Sequence, residues 1–333
     1  MGLPSAFNPV PTTSSRHPIL GPATWPSRYA VPVSFPLARS TSNRNRSSCS
    51  ITGPEPATVP EVYREAGIDF GTGPLGEADA CVRTVFALDP TSAPGFQLRG
   101  WVHYGHGRIQ EAVGDLKAAL AIDGSNADSL LLLANCYLIS GCVPASRDVI
   151  ARLLAVDPLT PVSRCMPAFA DLLEGRLAAA LEPYRAAVEM DPGNPMARLF
   201  YAWVLALNGR TDALDDVVAR FPDETRDTVP ARIAFFLADA AAGRRRAATA
   251  QLTGELEAAA TAPDLFARML AHGHALAGAS DEAMHWLSIA VERGFINYPF
   301  LAEHDPVFAG LRTLPEFQRL LGSVRARWNR FTP

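Results

Sequence analysis

Several groups of residues in this chain have types and spacings that chemistry uses. Asp69-Phe70-Gly71 is the tripeptide whose aspartate holds magnesium in protein kinases. That chemistry also needs a glycine-rich loop, a lysine on an upstream strand and a His-Arg-Asp loop. No such loops occur, and the single lysine, Lys117, lies downstream in a helix-forming stretch. Asp69 shares its place with Asp171 and Asp239 and reads as a helix end before a turn glycine. His272 and His274 stand two apart, about 200° around a helix, and cannot share a metal ion. His103 and His106 can face one side, but no third Cys, Asp or Glu stands at ligand spacing. Arg244-Arg245-Arg246 reads as solvated surface, with contact to an anionic partner as the alternative. No Ser-His-acid or Cys-His set sits in a strand-turn-helix elbow. The expectation is a protein that is not an enzyme, with no catalytic residue, no metal and no cofactor.

The elements carrying these residues repeat. Glycines fall at Gly73, Gly107, Gly141, Gly175, Gly209 and Gly243, each 34 residues after the last, and Gly278 follows after one extra residue. Asp89, Asp123, Asp157 and Asp191 keep the same register, with proline next at Pro90, Pro158 and Pro192. Between these marks the segments are rich in Ala and Leu and apolar at three-and-four spacing, as in Leu130, Leu133, Ala134 and Tyr137. Each unit is therefore two helices, with the glycine in the turn between them and the Asp-Pro closing the second. Small residues recur where paired helices must approach: Ala66, Gly100, Ala134, Ala168, Ala202 and Ala271 at the eighth position, broken by Phe236. The twentieth position holds Ala78, Ala112, Ser146, Ala180, Ala248 and Ala283, broken by Leu214.

This pattern of small residues, turn glycine and closing proline resembles the tetratricopeptide repeat family. The resemblance implies an all-α fold: a helical solenoid of about seven helix-turn-helix units over residues 59–296. Residues 297–333 carry Phe300, Phe308, Phe317 and Trp328 and are expected to form a helical cap over the last repeat's exposed face. The family's usual tyrosine is replaced by His103, Asp171, Leu205, Asp239 and His274, and Pro222 should cut short the second helix of unit five.

The first 58 residues are a different material, read as a disordered leader. Residues 1–60 hold 11 of the 28 prolines, ten serines and five arginines against the single acid Glu55. They lack apolar periodicity and cannot offset chain entropy by burial. The prolines also argue against the amphipathic helix of an organellar transit peptide. The leader carries +4 and the remaining 273 residues, with 25 basic and 33 acidic side chains, carry −8. Without a basic surface, nucleic-acid binding is not expected. No apolar stretch spans a bilayer, so no membrane partner is expected either. Five cysteines without a C-x-x-C pair point to reduced thiols in a cytoplasmic protein.

In the family, first helices line a concave groove. Its fifth, ninth and twelfth positions give Gln97, Trp101 and Tyr104, then Leu131, Asn135 and Leu138. Units four and five give Cys165, Phe169 and Leu172, then Leu199, Trp203 and Ala206. The resemblance implies that Gln97, Trp101, Tyr104, Asn135, Leu138, Phe169 and Trp203 bind a protein or peptide segment with apolar anchors. The alternative is that Trp101, Phe169 and Trp203 pack between first helices or against the chain's own leader, with Trp25 or Phe35 as occupant. A narrower likeness lies in Gly294-Phe295-Ile296-Asn297-Tyr298-Pro299-Phe300-Leu301-Ala302-Glu303-His304-Asp305-Pro306. This run resembles the end of the repeat region of bacterial serine/threonine protein kinases. It implies a second reading, a regulatory or substrate-docking module separated from its catalytic domain.

Overall fold

In the computed structural model, which describes residues 72–261 and 264–333, every regular element is helical. The leader, the first helix of unit one and Asp69-Phe70-Gly71 lie outside the described residues. Unit one contributes α1 (Thr72–Leu88). Units two and three are α2 (Ala93–Gly105) with α3 (Ile109–Ile122), and α4 (Ala127–Ile139) with α5 (Val143–Val156). Unit four pairs α6 (Pro161–Leu173) with a 3₁₀ turn (Leu177–Ala180) that runs into α7 (Leu181–Met190). Units five and six are α8 (Pro195–Leu207) with α9 (Thr211–Ala219), and α10 (Val229–Ala241) with α11 (Arg245–Gln251). A short helix, α12 (Gly254–Ala260), precedes unit seven, which is α13 (Asp264–Leu276) with α14 (Ser280–Glu292). The tail adds a π turn (Phe300–His304) and α15 (Pro315–Trp328).

The glycine register has a local cause. Gly107, Gly141, Gly175, Gly209, Gly243 and Gly278 all have φ between 65° and 85°, left-handed values that suit a residue without Cβ. At each, the next N–H reaches back to the carbonyl of the helix's third-last turn residue, as in Arg108 N to His103 O at 2.9 Å and Cys142 N to Tyr137 O at 2.8 Å. This pairing satisfies orphan carbonyls at the helix end. The aspartate register is equally local. Asp89 accepts from Thr91, Asp123 from Ser125, Asp157 from Thr160 and Asp191 from Asn194. These side chains fold the chain into the turn before the next first helix. Gly73 departs from the register: it lies inside α1.

Small residues set the helix spacing. A Cβ on Gly100 would stand 2.9 Å from Leu116 Cγ across the unit-two pair. Phe236, the exception at the eighth position, is accommodated by Gly273 on α13, where a Cβ would collide with its ring. Gly273→Ala is therefore expected to lower stability by about 1–3 kcal/mol through overpacking. Urea denaturation should show Phe236→Leu restoring part of the loss; additive losses would contradict the pairing.

The tail does more than cap the final repeat. First helices α8, α10 and α13 pack in succession, and the stack curls until α13 meets units two, four and five. The end of α14 and then the tail run back past three turn glycines. A Cβ on Gly107 would meet the Glu292 carbonyl, one on Gly141 would meet Trp328 and Asn297, and one on Gly175 would meet the His304 ring. Ile296 N–H donates to Ile139 O at 2.9 Å, and Asn297 Nδ2 donates to Leu138 O at 2.9 Å. Phe295, Phe300 and Phe308 are completely buried. The expected end cap is thus a strap that closes the stack on its own first helices.

Candidate functional site

The candidate face falls on the first helices α2, α4, α6 and α8, whose N-caps and prolines set where each helix starts. Asn126 accepts from Ser129 N at 2.8 Å, and Asn194 accepts from Met196 N at 2.9 Å with Pro195 following as first helical residue. Gln97 is buried, and its Oε1 accepts from Asn126 Nδ2 at 3.1 Å. Its amide therefore supports the cap of the next unit. Trp101 and Tyr104 form an edge-to-face pair with centroids 5.9 Å apart, and both are half-buried, as are Leu131 and Asn135. These four residues keep accessible surface at the unit-two and unit-three part of the face.

Leu138, Phe169 and Trp203 do not form an open groove. All three are buried, Leu138 and Trp203 completely, and unit seven and the tail lie over them. Phe169 on α6 meets Trp203 on α8 edge to face at 6.2 Å, and Trp203 meets His272 on α13, so these two rings pack between first helices, one of the two alternatives; the other, packing against the leader, falls outside the described residues. Arg268, itself 1% exposed, sits 4.2 Å from the Phe295 ring centroid, 5.2 Å from Trp203 and 5.8 Å from Phe169. Among the described residues its Nε and Nη1 find no hydrogen-bond partner, and the surrounding rings supply attraction to the cation. Asp264, on the same helix, stands 3.8 Å away and accepts from the Tyr104 hydroxyl at 3.0 Å.

A second buried link lies one turn along α13. Trp203 Nε1 donates to His272 Nδ1 at 3.0 Å, and His272 Nε2 is 2.8 Å from Asp305 Oδ2. An indole N–H only donates, so Nδ1 is the acceptor and Nε2–H donates to the carboxylate. Asp305 also accepts from Val307 N, and Phe308 stacks on the imidazole at 4.6 Å. Both side chains of this His-Asp pair are fully buried. The arrangement ties the tail to α13.

Burial pushes the Asp264 carboxyl above the usual carboxylate range, against the pull of Arg268 and the Tyr104 hydroxyl. Between the unfolded and the folded pKa, and only there, the folded chain keeps a proton that the unfolded chain releases; above that window Asp264 is the charged partner of Arg268. Stability from this group is fully present below the ordinary carboxylate pKa and is lost as pH rises through the folded value. Relative to Asp264→Asn, the wild type should gain stability as pH falls through that window in urea titrations. A gain in the opposite direction would show that the Arg268 charge outweighs burial.

Other candidate groups are engaged structurally. His103 Nδ1 accepts from Arg108 Nε, while His106 pairs with Asp79. His274 packs on Phe236 with centroids 5.0 Å apart. Arg244 bridges Asp215 and Asp239, leaving Arg245 and Arg246 at the surface. Among the described residues no three or more His, Cys, Asp or Glu side chains gather as metal ligands. No described helix is long and apolar enough to cross a membrane.

The closing residues Arg268 and His272 were detectable by position: they occupy the fifth and ninth places of unit seven, continuing the series that gives Trp101 and Trp203. A charge and an imidazole in the middle of an apolar helix needed a buried partner.

The tetratricopeptide repeat family matches residues 103–163 and again residues 172–213. Among solved structures, the chain is similar to YrrB, described as a tetratricopeptide repeat protein with an unusual peptide-binding site. That likeness has 18% identity over 61% of this chain and 96% of that one, with a TM-score of 0.35. It is also similar to MamA, at 16% identity over 60% of this chain and 91% of that one, with a TM-score of 0.31. A tetratricopeptide repeat protein from Parabacteroides merdae has 11% identity over 72% of this chain and 93% of that one, with a TM-score of 0.38. No curated protein sequence matches the chain.

Proposed function

We propose, from the premise that this chain is an all-helical solenoid carrying tetratricopeptide repeats, that it is a non-enzymatic interaction scaffold. Such repeats generally mediate protein–protein interaction, and their stacks offer extended concave surfaces. The partner segment would lie on the part of that surface the tail leaves open, at Trp101, Tyr104, Leu131 and Asn135. The observation that carries this is the half-buried edge-to-face pair of Trp101 and Tyr104. Such rings offer a large contact area with few torsions to freeze, which suits apolar anchors on the partner. Gln97, Leu138, Phe169 and Trp203 contribute by shaping the face from beneath. A cytoplasmic location belongs to the same proposal.

A photo-crosslinking side chain at Leu131, with one at exposed Arg152 as control, tests the surface in cells. Adducts from position 131 alone, lost on Trp101→Ala, are expected. Equal adducts from both positions, or adducts indifferent to Trp101→Ala, would contradict it. The run Gly294–Pro306 favours a second reading, a regulatory or substrate-docking module of a bacterial serine/threonine kinase system. That reading requires co-purifying kinase activity that depends on the same open surface.

A further inference from the structure

Where α3 begins, a pocket of about 420 Å³ lies between the turn at Gly107 and the end of α15. Three arginines reach it: Arg108 from the turn, and Arg327 and Arg330 from the tail. Ile296 and Phe331 give it an apolar wall, and Glu111 is the carboxylate among its lining residues. Arg108 spends one N–H on His103 Nδ1 at 2.9 Å, and Arg327 spends one on the Val291 carbonyl at 2.5 Å. The three form none of the ion pairs found among the described residues, in contrast to Arg147, Arg176 and Arg244, which each hold two carboxylates. Burial, and then the charge of Arg330, lower the Arg327 pKa, while Glu292 offsets only part of this. Guanidinium charge is therefore gathered and left without a matching anion, on a body whose residues 61–333 are otherwise acidic.

The geometry points to a binding site for a phosphate monoester carried on an apolar side chain of a protein partner. Guanidinium groups present paired N–H donors that match the oxygens of a tetrahedral dianion, and three of them outweigh the one carboxylate. Ile296 and Phe331 would take the carbon skeleton that bears the phosphate. The pocket is held in shape by the tail: Gln110 Nε2 donates to Thr332 O at 3.0 Å, and Thr332 N donates to Gln110 Oε1 at 3.0 Å. The site is independent of the Trp101 surface, and either could fail without the other.

The test is fluorescence polarisation of the full chain with a short labelled peptide bearing phosphotyrosine between leucines. Its unphosphorylated form and inorganic phosphate as competitor complete the set. The phosphorylated peptide should bind at least about tenfold tighter than the unphosphorylated one, a charge-assisted effect that rising salt weakens. The double variant Arg108→Gln/Arg330→Gln, at two exposed positions, should abolish that preference, with circular dichroism unchanged. Arg152→Gln should preserve it. Equal binding of the two peptides would overturn the proposal. So would a preference that survives the double variant, or displacement by inorganic phosphate as strong as by unlabelled phosphopeptide, which marks an adventitious ion only.

Discussion

Replacing Arg268 with leucine is expected to destabilise the fold by about 3–5 kcal/mol, the usual cost of removing one member of a buried ion pair. Arg268 and Asp264 are each 1% exposed and stand 3.8 Å apart. Without the guanidinium, Asp264 keeps only the Tyr104 hydroxyl as a side-chain partner in the interior. The rings of Phe169, Trp203 and Phe295 would at the same time lose the cation they enclose. Urea denaturation measures the loss. Adding Asp264→Asn to the leucine variant should recover part of it, because the unpaired charge is then gone. A cost below 1 kcal/mol would mean that α13 does not sit against α6 and α8 as described.

The second large effect concerns the strap itself. Phe308 is fully buried, stacked on His272 and packed against Phe317. Phe308→Ala should cost about 3–5 kcal/mol, transfer and cavity terms together, whereas Phe308→Leu should cost much less. The loss should concentrate in the tail. Trypsin should cut at Arg312 and Arg319 earlier in the alanine variant than in the wild type, while α4 and α5 stay resistant. Uniform loosening of all units would show that strap and stack unfold together. An unchanged digestion pattern would contradict a strap held by Phe308.

The parts of this fold that were legible in the sequence are those whose causes are local. A turn glycine acts within six residues, through bonds such as Arg108 N to His103 O, and Asp123 acts on Ser125 two residues away. Gly100 facing Leu116 spans one helix pair. Pro222 likewise ends unit five's second helix early, at Ala219. The closure of the stack was not legible for the opposite reason. Tyr104 meets Asp264 across 160 positions, Asn297 meets Leu138 across 159, and Trp203 meets His272 across 69. No periodicity encodes those pairings, because they depend on how small rotations between units accumulate.

The candidate site divides along the same line. Family positions brought Trp101, Tyr104 and Asn135 to one face, where they retain surface. Position alone did not reveal that Leu138, Phe169 and Trp203 would be covered by residues 264–308. Gln97 shows a subtler failure: a groove position whose amide is spent on the neighbouring cap. Phe236 shows the converse. A break in the small-residue rule was met by Gly273, a glycine outside the turn register.

The central claim is that unit seven and the chain's own tail together cover the first-helix face of units three to five. Hydrogen exchange at the Ile296 amide tests it most directly, since that N–H donates to the Ile139 carbonyl at the end of α4. The closed stack predicts protection of Ile296 comparable to that of core amides in α4, lost in Phe308→Ala. Exchange of Ile296 at the rate of an unstructured amide in the intact protein would contradict it.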